Sequence, residues 1–430
     1  MPERPATTRL RAGDADGALR AATPALEAQP ADLDSFLVVV EGLLGAGRPA
    51  GVGSAAAVLA RALGSDGRWP LALVAADVAA RAGHDRGEVL ADLARLLGAG
   101  SDLLVDAVGV SPPPEVPEVP PLAADVRGGA LYARALQAAT VAASALAAVR
   151  PGSALPRAPI LSRLDGDAFA AFAAAFVPRR VPAGEVLIEQ GANGNEVFFV
   201  AEGTLRVARS KQDEPGDVEL ARLGPGALVG EMALVSRQPR SASVTAYGPA
   251  TVLQADREAL DAAARNPTVA AELVAHCRRR MAETLLVASP MLSSVPSNER
   301  PAVLAALAPR ALAAGEVLIA QGADADGLTL IVQGEVEVVR EDAGERTVIA
   351  TLGPGNVVGE ISVVLRRPAT ASVVAVTDGV ALHLHRDSFM ALAKAHPTLL
   401  ARLYTLAVER ETETMSIVAA DAVSADDLLV

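Results

Sequence analysis

The sequence has 430 residues, which is more than one ordinary hydrophobic core accommodates, so several domains are expected. Its formal net charge of -13 argues against a nucleic-acid partner, because such a partner needs basic residues that displace counterions from phosphate. The single cysteine excludes an internal disulfide, and no apolar run reaches the ~18 residues of a membrane span, so we expect a cytoplasmic protein with no membrane partner.

The amino-terminal region carries a repeat of about 34 residues. The pattern Ala-Gly-x-x-x-Gly begins at Ala12, Ala46 and Ala82. A unit of this length with two helices is typical of tetratricopeptide arrays, which the region resembles. Later units lack the usual aromatic positions and the exit proline, so a generic array of helical hairpins fits nearly as well. Such an array commonly binds a protein partner, and a helical domain without a partner is the alternative.

A proline-rich segment follows the helical region. The run SPPPEVPEVPP from Ser111 to Pro121 prevents helix and favours an extended polyproline spacer. Segments of this type also bind proline-reading domains, but they are too common to indicate such a partner. A helix is predicted next, from about Gly129 to Val149.

Short apolar runs separated by turn glycines then predict β-strands, as in PAGEVLIEQGANGNEVFFVAEGTLRV from Pro182 to Val207. The stretch LVGEMALVSRQPRSAS follows at 228–243 and combines a glycine turn, a carboxylate, a short apolar helix and an arginine. Gly230 permits close backbone approach to a ligand, and a helix start offers N–H groups to an anion. Arg240 can hold two phosphate oxygens, whereas an ionised Glu231 only accepts hydrogen bonds, most naturally from a ribose hydroxyl. An anion and a sugar at one site indicate a nucleotide.

The order Gly-Glu-x-Ala-Leu, five residues and then Arg-x-Ala resembles the phosphate-binding cassette of cyclic nucleotide-binding domains. The preceding strands resemble the first strands of that family's eight-stranded jelly roll. The resemblance implies that Arg240 pairs with the cyclic phosphate and that Glu231 accepts from the ribose 2′-hydroxyl. Backbone N–H groups around Gly230 and Ala233 would complete the phosphate cradle, and no catalytic residue, metal or other cofactor is implied. The predicted ligand-binding residues are Gly230, Glu231, Met232, Ala233, Arg240, Ser241 and Ala242.

The choice between cAMP and cGMP depends on Ser241, whose hydroxyl suits either ligand. In eukaryotic members a hydroxyl here often accompanies cGMP, whereas bacterial cAMP activators also carry serine, where it helps to bind phosphate. We favour cAMP.

The chain then repeats the strands and the cassette. Three glycine pairs are offset by 131 residues, and Gly230 and Gly359 are offset by 129. The second cassette, VVGEISVVLRRPATAS, has Ala369 at the position of Arg240. Removing one partner of a buried charge pair costs about 2 to 5 kcal/mol, so this site is expected to bind weakly or not at all. Arg367 would replace the lost charge only after the loop rearranged. The predicted weaker site comprises Gly359, Glu360, Ile361, Ser362, Ala369 and Thr370.

The expected fold class is multidomain α and β, with an amino-terminal helical-hairpin array followed by two tandem β jelly-roll barrels with flanking helices. The barrels resemble those of the regulatory subunits of cAMP-dependent protein kinase, although no pseudosubstrate string precedes the first barrel. After the second barrel we expect a final helix and a short acidic tail, and therefore no basic helix-turn-helix of the kind found in catabolite-activator-type transcription factors. The expected domains are 1–108 (helical repeats), 109–156 (proline-rich linker and helix), 157–287 (first nucleotide-binding domain), 288–416 (second, degenerate domain) and 417–430 (tail).

These features predict a cyclic nucleotide sensor that is not an enzyme and that signals to a protein partner. A scaffold whose barrels no longer bind nucleotide is the alternative. His383 and His385 alternate on a predicted strand and invite comparison with metal-binding jelly rolls, but the expected nearby glutamate and third histidine are missing.

Overall fold

A computed structural model describes residues 5–105, 119–147, 154–210, 217–231, 239–288, 300–342, 345–395, 397, 400–401 and 403–412. The predicted tail at 417–430 and most of the proline-rich segment lie outside these residues. The chain forms two compact units, the first from Met1–Gly230 with Ala242–Leu273 and the second from Glu231–Ser241 with Val274–Val430. Among the described residues, no helix is both long enough and apolar enough to cross a bilayer.

The first unit begins with an array of helices in which consecutive helices pack against each other. The three Ala-Gly-x-x-x-Gly patterns begin directly after the first, third and fifth helices, so one sequence repeat corresponds to two helices. This confirms the predicted helical array. Aspartate side chains at Asp14 and Asp85 cap the second and sixth helices by accepting from backbone N–H groups at 2.8 Å. The helices are α1 (Pro5–Arg11), α2 (Ala15–Ala28), α3 (Leu33–Gly45), α4 (Val52–Ser65), α5 (Trp69–Arg81) and α6 (Arg86–Leu97).

The helix predicted after the proline-rich segment is α7 (Gly128–Leu146). Its small and apolar residues are buried along one face, and they pack against α2, α3 and α4. The Tyr132 hydroxyl donates to Asp16 at 2.9 Å, and Arg134 binds Glu27 through two bonds of 2.7 Å. The helix therefore folds back and becomes part of the amino-terminal array.

The first unit continues with a β-sandwich. Two short strands, β1 (Leu104–Val105) and β2 (Leu155–Pro156), pair in parallel ahead of helix α8 (Gly166–Ala174). Two antiparallel four-stranded sheets follow, with the orders β3-β10-β5-β8 and β4-β9-β6-β7. Helix α9 (Arg257–Ala263) comes after the last strand of this sandwich. Helix α10 (Pro267–Ala288) follows it, and its residues from Val274 onward belong to the second unit. The strands are β3 (Val177–Val181), β4 (Val186–Ile188), β5 (Val197–Glu202), β6 (Leu205–Ser210), β7 (Asp217–Leu223), β8 (Leu228–Val229), β9 (Ser243–Ala246) and β10 (Ala250–Ala255).

The second unit contains an equivalent sandwich. Its sheets have the orders β11-β18-β13-β16 and β12-β17-β14-β15, which repeat the first pair strand for strand. Helices α11 (Arg300–Ala306), α12 (Glu360–Leu365) and α13 (Arg386–Ala395) belong to this unit, and residues 403–412 are also helical. The strands are β11 (Ala308–Leu312), β12 (Val317–Ile319), β13 (Gly327–Gln333), β14 (Val336–Asp342), β15 (Glu345–Leu352), β16 (Val357–Val358), β17 (Ser372–Ala375) and β18 (Gly379–His385).

Local details confirm the tandem repeat. Gly230 and Gly359 have φ angles of 85° and 90°, a left-handed conformation that favours glycine. The hydroxyls of Ser243 and Ser372 accept from the backbone N–H groups of Gln190 and Gln321 at 3.0 and 2.9 Å. The prediction of two tandem jelly-roll domains is therefore confirmed, with one refinement. In the described parts of both domains the strands form two separate sheets, and no sheet closes into a barrel.

Candidate functional site

The first cassette begins where β8 ends. Gly230 makes the left-handed turn after this strand, and Glu231 and Arg240 are both buried, at 7% and 9% exposure. Ser241 is exposed and Ala242 is half-buried. The predicted site residues Met232 and Ala233 lie outside the described residues, together with the rest of the segment 232–238.

Glu231 is paired with an arginine from a following helix. The Arg280 Nε atom, on α10, lies 3.3 Å from the Glu231 Oε1 atom. On the same helix the Cys277 thiol donates to the Glu231 carbonyl oxygen at 3.5 Å. Burial, followed by the charge of Glu231, raises the pKa of Cys277 to about 12, so this thiol stays protonated and unreactive at neutral pH.

The second cassette is described along its whole length. Gly359 precedes α12, and a Cβ atom at this position would lie 2.4 Å from the Gly327 carbonyl oxygen. Only glycine fits this turn. The buried Ser362 hydroxyl accepts from the Ala325 backbone N–H at 2.9 Å, which fixes the start of α12 against the loop before β13.

A cavity of about 130 Å³ adjoins this cassette. Its walls are mostly aliphatic, with Ile319, Val338 and Leu352 among them, and the cassette residues Gly359 to Ser362 and Ala369 to Ala371 complete it. The charged side chains that line it are those of Glu360 and Arg410. The cavity therefore carries one negative and one positive group.

The buried Glu360 forms an ion pair with the half-buried Arg410. Arg410, in the helical residues 403–412, donates through Nη1 to Glu360 Oε1 at 2.9 Å, and also to the Val357 carbonyl oxygen. Its Nη2 atom donates to Asn356 Oδ1 at 3.3 Å. Burial raises the pKa of Glu360 above its ordinary value, and the positive charge of Arg410 opposes that effect. The carboxylate that the sequence assigns to a ribose hydroxyl thus already accepts from an arginine.

Ala369 occupies the position of Arg240 in the second domain. Its backbone is bonded to the loop before β13, with the Ala369 N–H donating to the Ala323 carbonyl oxygen and the Gly322 N–H donating to the Ala369 carbonyl oxygen, both at 2.8 Å. The neighbouring Arg367 is largely exposed and donates to Glu411 at 3.0 Å. Arg367 does not line the cavity, so the structure places no substitute cation from the cassette there.

The two arginines that pair with the cassette glutamates are residues that sequence reasoning missed. Neither Arg280 nor Arg410 belongs to a cassette motif, because each lies far along the chain from its glutamate. Their separation of 130 positions, against 129 for Glu231 and Glu360, is the signal that could have identified them. In both cassettes the same charge pairing is therefore built from a helix that follows the β-sandwich.

The histidines on β18 have structural neighbours. His383 Nδ1 lies 3.0 Å from the Thr329 hydroxyl, and the His383 and His385 rings are 6.3 Å apart. Burial lowers the pKa of His383, which favours its neutral form. No cluster of three or more histidine, cysteine or acidic residues suited to a metal ion occurs in the part of the chain that the structure describes.

Known proteins resemble both β-sandwiches. The family described as "Cyclic nucleotide-binding domain" matches residues 178–266 and 309–396. A cAMP-dependent protein kinase regulatory subunit from Aspergillus fumigatus is 32% identical over 246 residues, which are 54% of this chain and 56% of that protein. One from Blastocladiella emersonii is 32% identical over 217 residues, 50% of this chain and 51% of that protein. The chain thus spans about half the length of these relatives.

Among solved structures, the regulatory domain of Toxoplasma gondii PKA with cAMP is similar at 22% identity, with a TM-score of 0.30. The match covers 58% of this chain and 92% of the Toxoplasma chain.

Proposed function

We propose that this chain, which contains two cyclic nucleotide-binding domains, is a sensor that binds cAMP in its first domain and signals to a protein partner. In this proposal Arg240 pairs with the cyclic phosphate and Glu231 accepts from the ribose. The observation that carries the proposal is the contrast at one cassette position, where the first domain has a buried Arg240 and the second has Ala369.

The chemistry of the cassettes supports this contrast. A guanidinium offers two parallel N–H donors to phosphate oxygens, and such charge-assisted bonds gain strength where water is scarce. In the second cavity, the charges of Glu360 and Arg410 cancel, so an anionic ligand would enter without a compensating cation. We therefore propose that the second domain binds cyclic nucleotide weakly or not at all.

cAMP is proposed as the ligand rather than cGMP. The similarity to regulatory subunits named for cAMP-dependent protein kinase favours cAMP. Ser241 is consistent with either nucleotide, because its exposed hydroxyl can bond to phosphate or to a purine substituent. The discrimination between the two ligands therefore belongs to the test of the proposal.

The output is proposed to pass to a protein partner bound by the helical array rather than to an activity of the chain itself. The relatives are regulatory subunits of a kinase, but this chain matches only about half of their length, and kinase binding is not carried over. A cytoplasmic location is part of the proposal and is supported by the single cysteine, which is typical of a reducing compartment.

Calorimetric titration of cAMP and cGMP into the full chain tests this function. We expect wild type to bind cAMP more tightly than cGMP, and Arg240→Ala to weaken cAMP binding by about 30-fold or more, because it removes one partner of a desolvated charge pair. Arg367→Ala is the matched control. It removes an exposed arginine that binds Glu411, and we expect no change in affinity. Equal affinity in wild type and Arg240→Ala would refute the proposed role of Arg240, and no binding of either nucleotide would leave the scaffold alternative.

A further inference from the structure

An aromatic contact joins the helical array to the first β-sandwich. On β5, successive side chains point to opposite faces of the sheet, so Phe198 and Phe199 face different ways. Phe198 lies in the core between the sheets, whereas Phe199 lies on the outer face. There its ring meets Trp69 edge to face, with centroids 5.0 Å apart, and it also contacts Phe176 at 4.9 Å. Trp69 is the first residue of α5, which packs along β5 and β3.

Trp69 also covers the turn that leads to the first cassette. Gly226 has a φ of 87°, and a Cβ atom at this glycine would lie 3.6 Å from Trp69 Nε1. Two backbone hydrogen bonds tie this turn to β5, from Gly226 to Val200 at 2.8 Å and from Val200 to Ala227 at 2.9 Å. Phe199 is paired with Leu228 in the β5–β8 ladder. One residue separates Leu228 from Gly230, so the contact with α5 reaches the strand that carries the cassette glycine.

Polar contacts hold the array on the same sheet. Arg11 binds Glu202 at 2.7 Å, Arg180 donates to the Leu10 carbonyl oxygen at 2.9 Å, and Arg86 donates to the Phe176 carbonyl oxygen at 3.0 Å. With Trp69 and Phe199 both fully packed, the array is fixed to the domain at several separated points. Close-packed interiors transmit small shifts instead of absorbing them. We therefore expect a change in the β8 turn to alter the packing of α5.

In the second domain, the two positions that correspond to Phe198 and Phe199 are not aromatic. Thr329 and Leu330 occupy the positions of Phe198 and Phe199, since they pair with Val358 and Val357 as the two phenylalanines pair with Val229 and Leu228. Trp69 is the only tryptophan in the sequence. Its emission therefore reports on the first domain alone.

We infer that Trp69 is a positioning residue for the first nucleotide site, and that the helical array reads the occupancy of that site through the contact of α5 with Phe199 and Gly226. The inference rests on the proposed function, because it needs a ligand at the first cassette. Coupling between two sites is reciprocal in free energy. If bound nucleotide shifts the packing equilibrium of Trp69 by a given factor, then fixing that packing shifts nucleotide affinity by the same factor.

The test combines tryptophan emission with calorimetry on the full chain, with cAMP as the probe. We expect a saturable change in the emission of Trp69 whose midpoint equals the calorimetric dissociation constant. In Arg240→Ala the midpoint of the emission change should move to about 30-fold higher cAMP or beyond. We expect Trp69→Ala to weaken cAMP binding about 5-fold or more, and Trp69→Phe, which keeps a ring against Phe199, to restore affinity to within about 2-fold of wild type.

Phe36→Leu is the matched control, because Phe36 is a fully buried aromatic residue of the same array on α3. This control should lower the stability of the array and leave cAMP affinity unchanged. If Trp69→Ala weakened cAMP binding only by destabilising the array, Phe36→Leu would weaken it as well. Calorimetric binding without an emission change, together with wild-type affinity in Trp69→Ala, would overturn the coupling and leave the proposed function intact. Absence of calorimetric binding would overturn both.

Discussion

Glu231 and Glu360 show how much of the cassette chemistry depends on single residues. Each glutamate is buried and bound to an arginine that arrives from a later helix, Arg280 in one case and Arg410 in the other. An ionised carboxylate offers about four acceptor positions, so one arginine contact leaves room for a ribose hydroxyl. The glutamates are therefore equivalent in both domains, and the difference between the domains rests on Arg240 and Ala369.

The raised pKa of Glu360 gives a pH prediction at this scale. A folded-state pKa above the ordinary value of 4.5 means that the folded protein binds a proton more tightly than the unfolded chain. The contribution of Glu360 to the free energy of unfolding is then most favourable below pH 4.5 and falls as pH rises through the folded-state pKa. Glu360→Gln cannot titrate. We therefore expect wild type to gain stability relative to Glu360→Gln as pH falls from the folded-state pKa toward 4.5, as measured by urea unfolding followed by circular dichroism.

Arg410→Lys provides the matched control for the pH measurement, because it keeps a positive charge near Glu360 and leaves the carboxyl able to titrate. Its stability should follow the pH dependence of wild type in direction. A difference between wild type and Glu360→Gln that stays constant down to pH 4.5 would contradict the raised pKa.

At the scale of elements, the cassette turns are fixed by backbone geometry. Gly359 has a left-handed φ of 90° and no space for a Cβ atom beside the Gly327 carbonyl oxygen. Gly359→Ala should lower the free energy of unfolding by about 2 kcal/mol or more, since it adds left-handed strain to a steric clash. Gly353→Ala is the control, because a Cβ atom there meets nothing within 4 Å. We expect it to change stability by less than about 0.5 kcal/mol, and equal effects of the two substitutions in thermal unfolding would contradict the account of the turn.

The elements divide into those that sequence periodicity predicted and those that tertiary packing decided. The strands and turns of both sandwiches were predictable, because the glycines at 184, 191 and 203 recur at 315, 322 and 334, and these positions all have left-handed φ angles. Helix α7 was predicted near its observed bounds of Gly128–Leu146, but its return onto α2, α3 and α4 was not. The local sequence of an alanine-rich helix does not specify which surface the helix will pack against.

For the whole molecule, the sequence predicted the order of the domains along the chain, but it did not predict that the helical array packs on the first β-sandwich. The contact of Trp69 with Phe199 joins residues 130 positions apart, and neither residue belongs to a motif. The apolar run of β5 does not indicate what covers its outer face, and both Phe198 and Phe199 are buried because the array covers that face. The amino-terminal region is thus packed onto the first domain, which is the physical basis for proposing it as the output.

We propose that only the first cassette of the pair is competent to bind cyclic nucleotide. In the second cavity the opposite charges of Glu360 and Arg410 cancel, because Ala369 adds no charge. The first cassette has the corresponding pair, Glu231 and Arg280, and also the positive charge of Arg240. A chain with two such domains should therefore bind one cyclic nucleotide tightly.

Equilibrium dialysis with labelled cAMP, carried to saturation, measures this directly. At a free cAMP concentration about ten times the wild-type dissociation constant, we predict nearly one cAMP per chain for wild type and for Glu360→Ala, which alters only the second cassette. Arg240→Ala should bind about a quarter of a cAMP per chain or less. Two tightly bound cAMP molecules in wild type, or one in Arg240→Ala that is lost in Glu360→Ala, would contradict the claim.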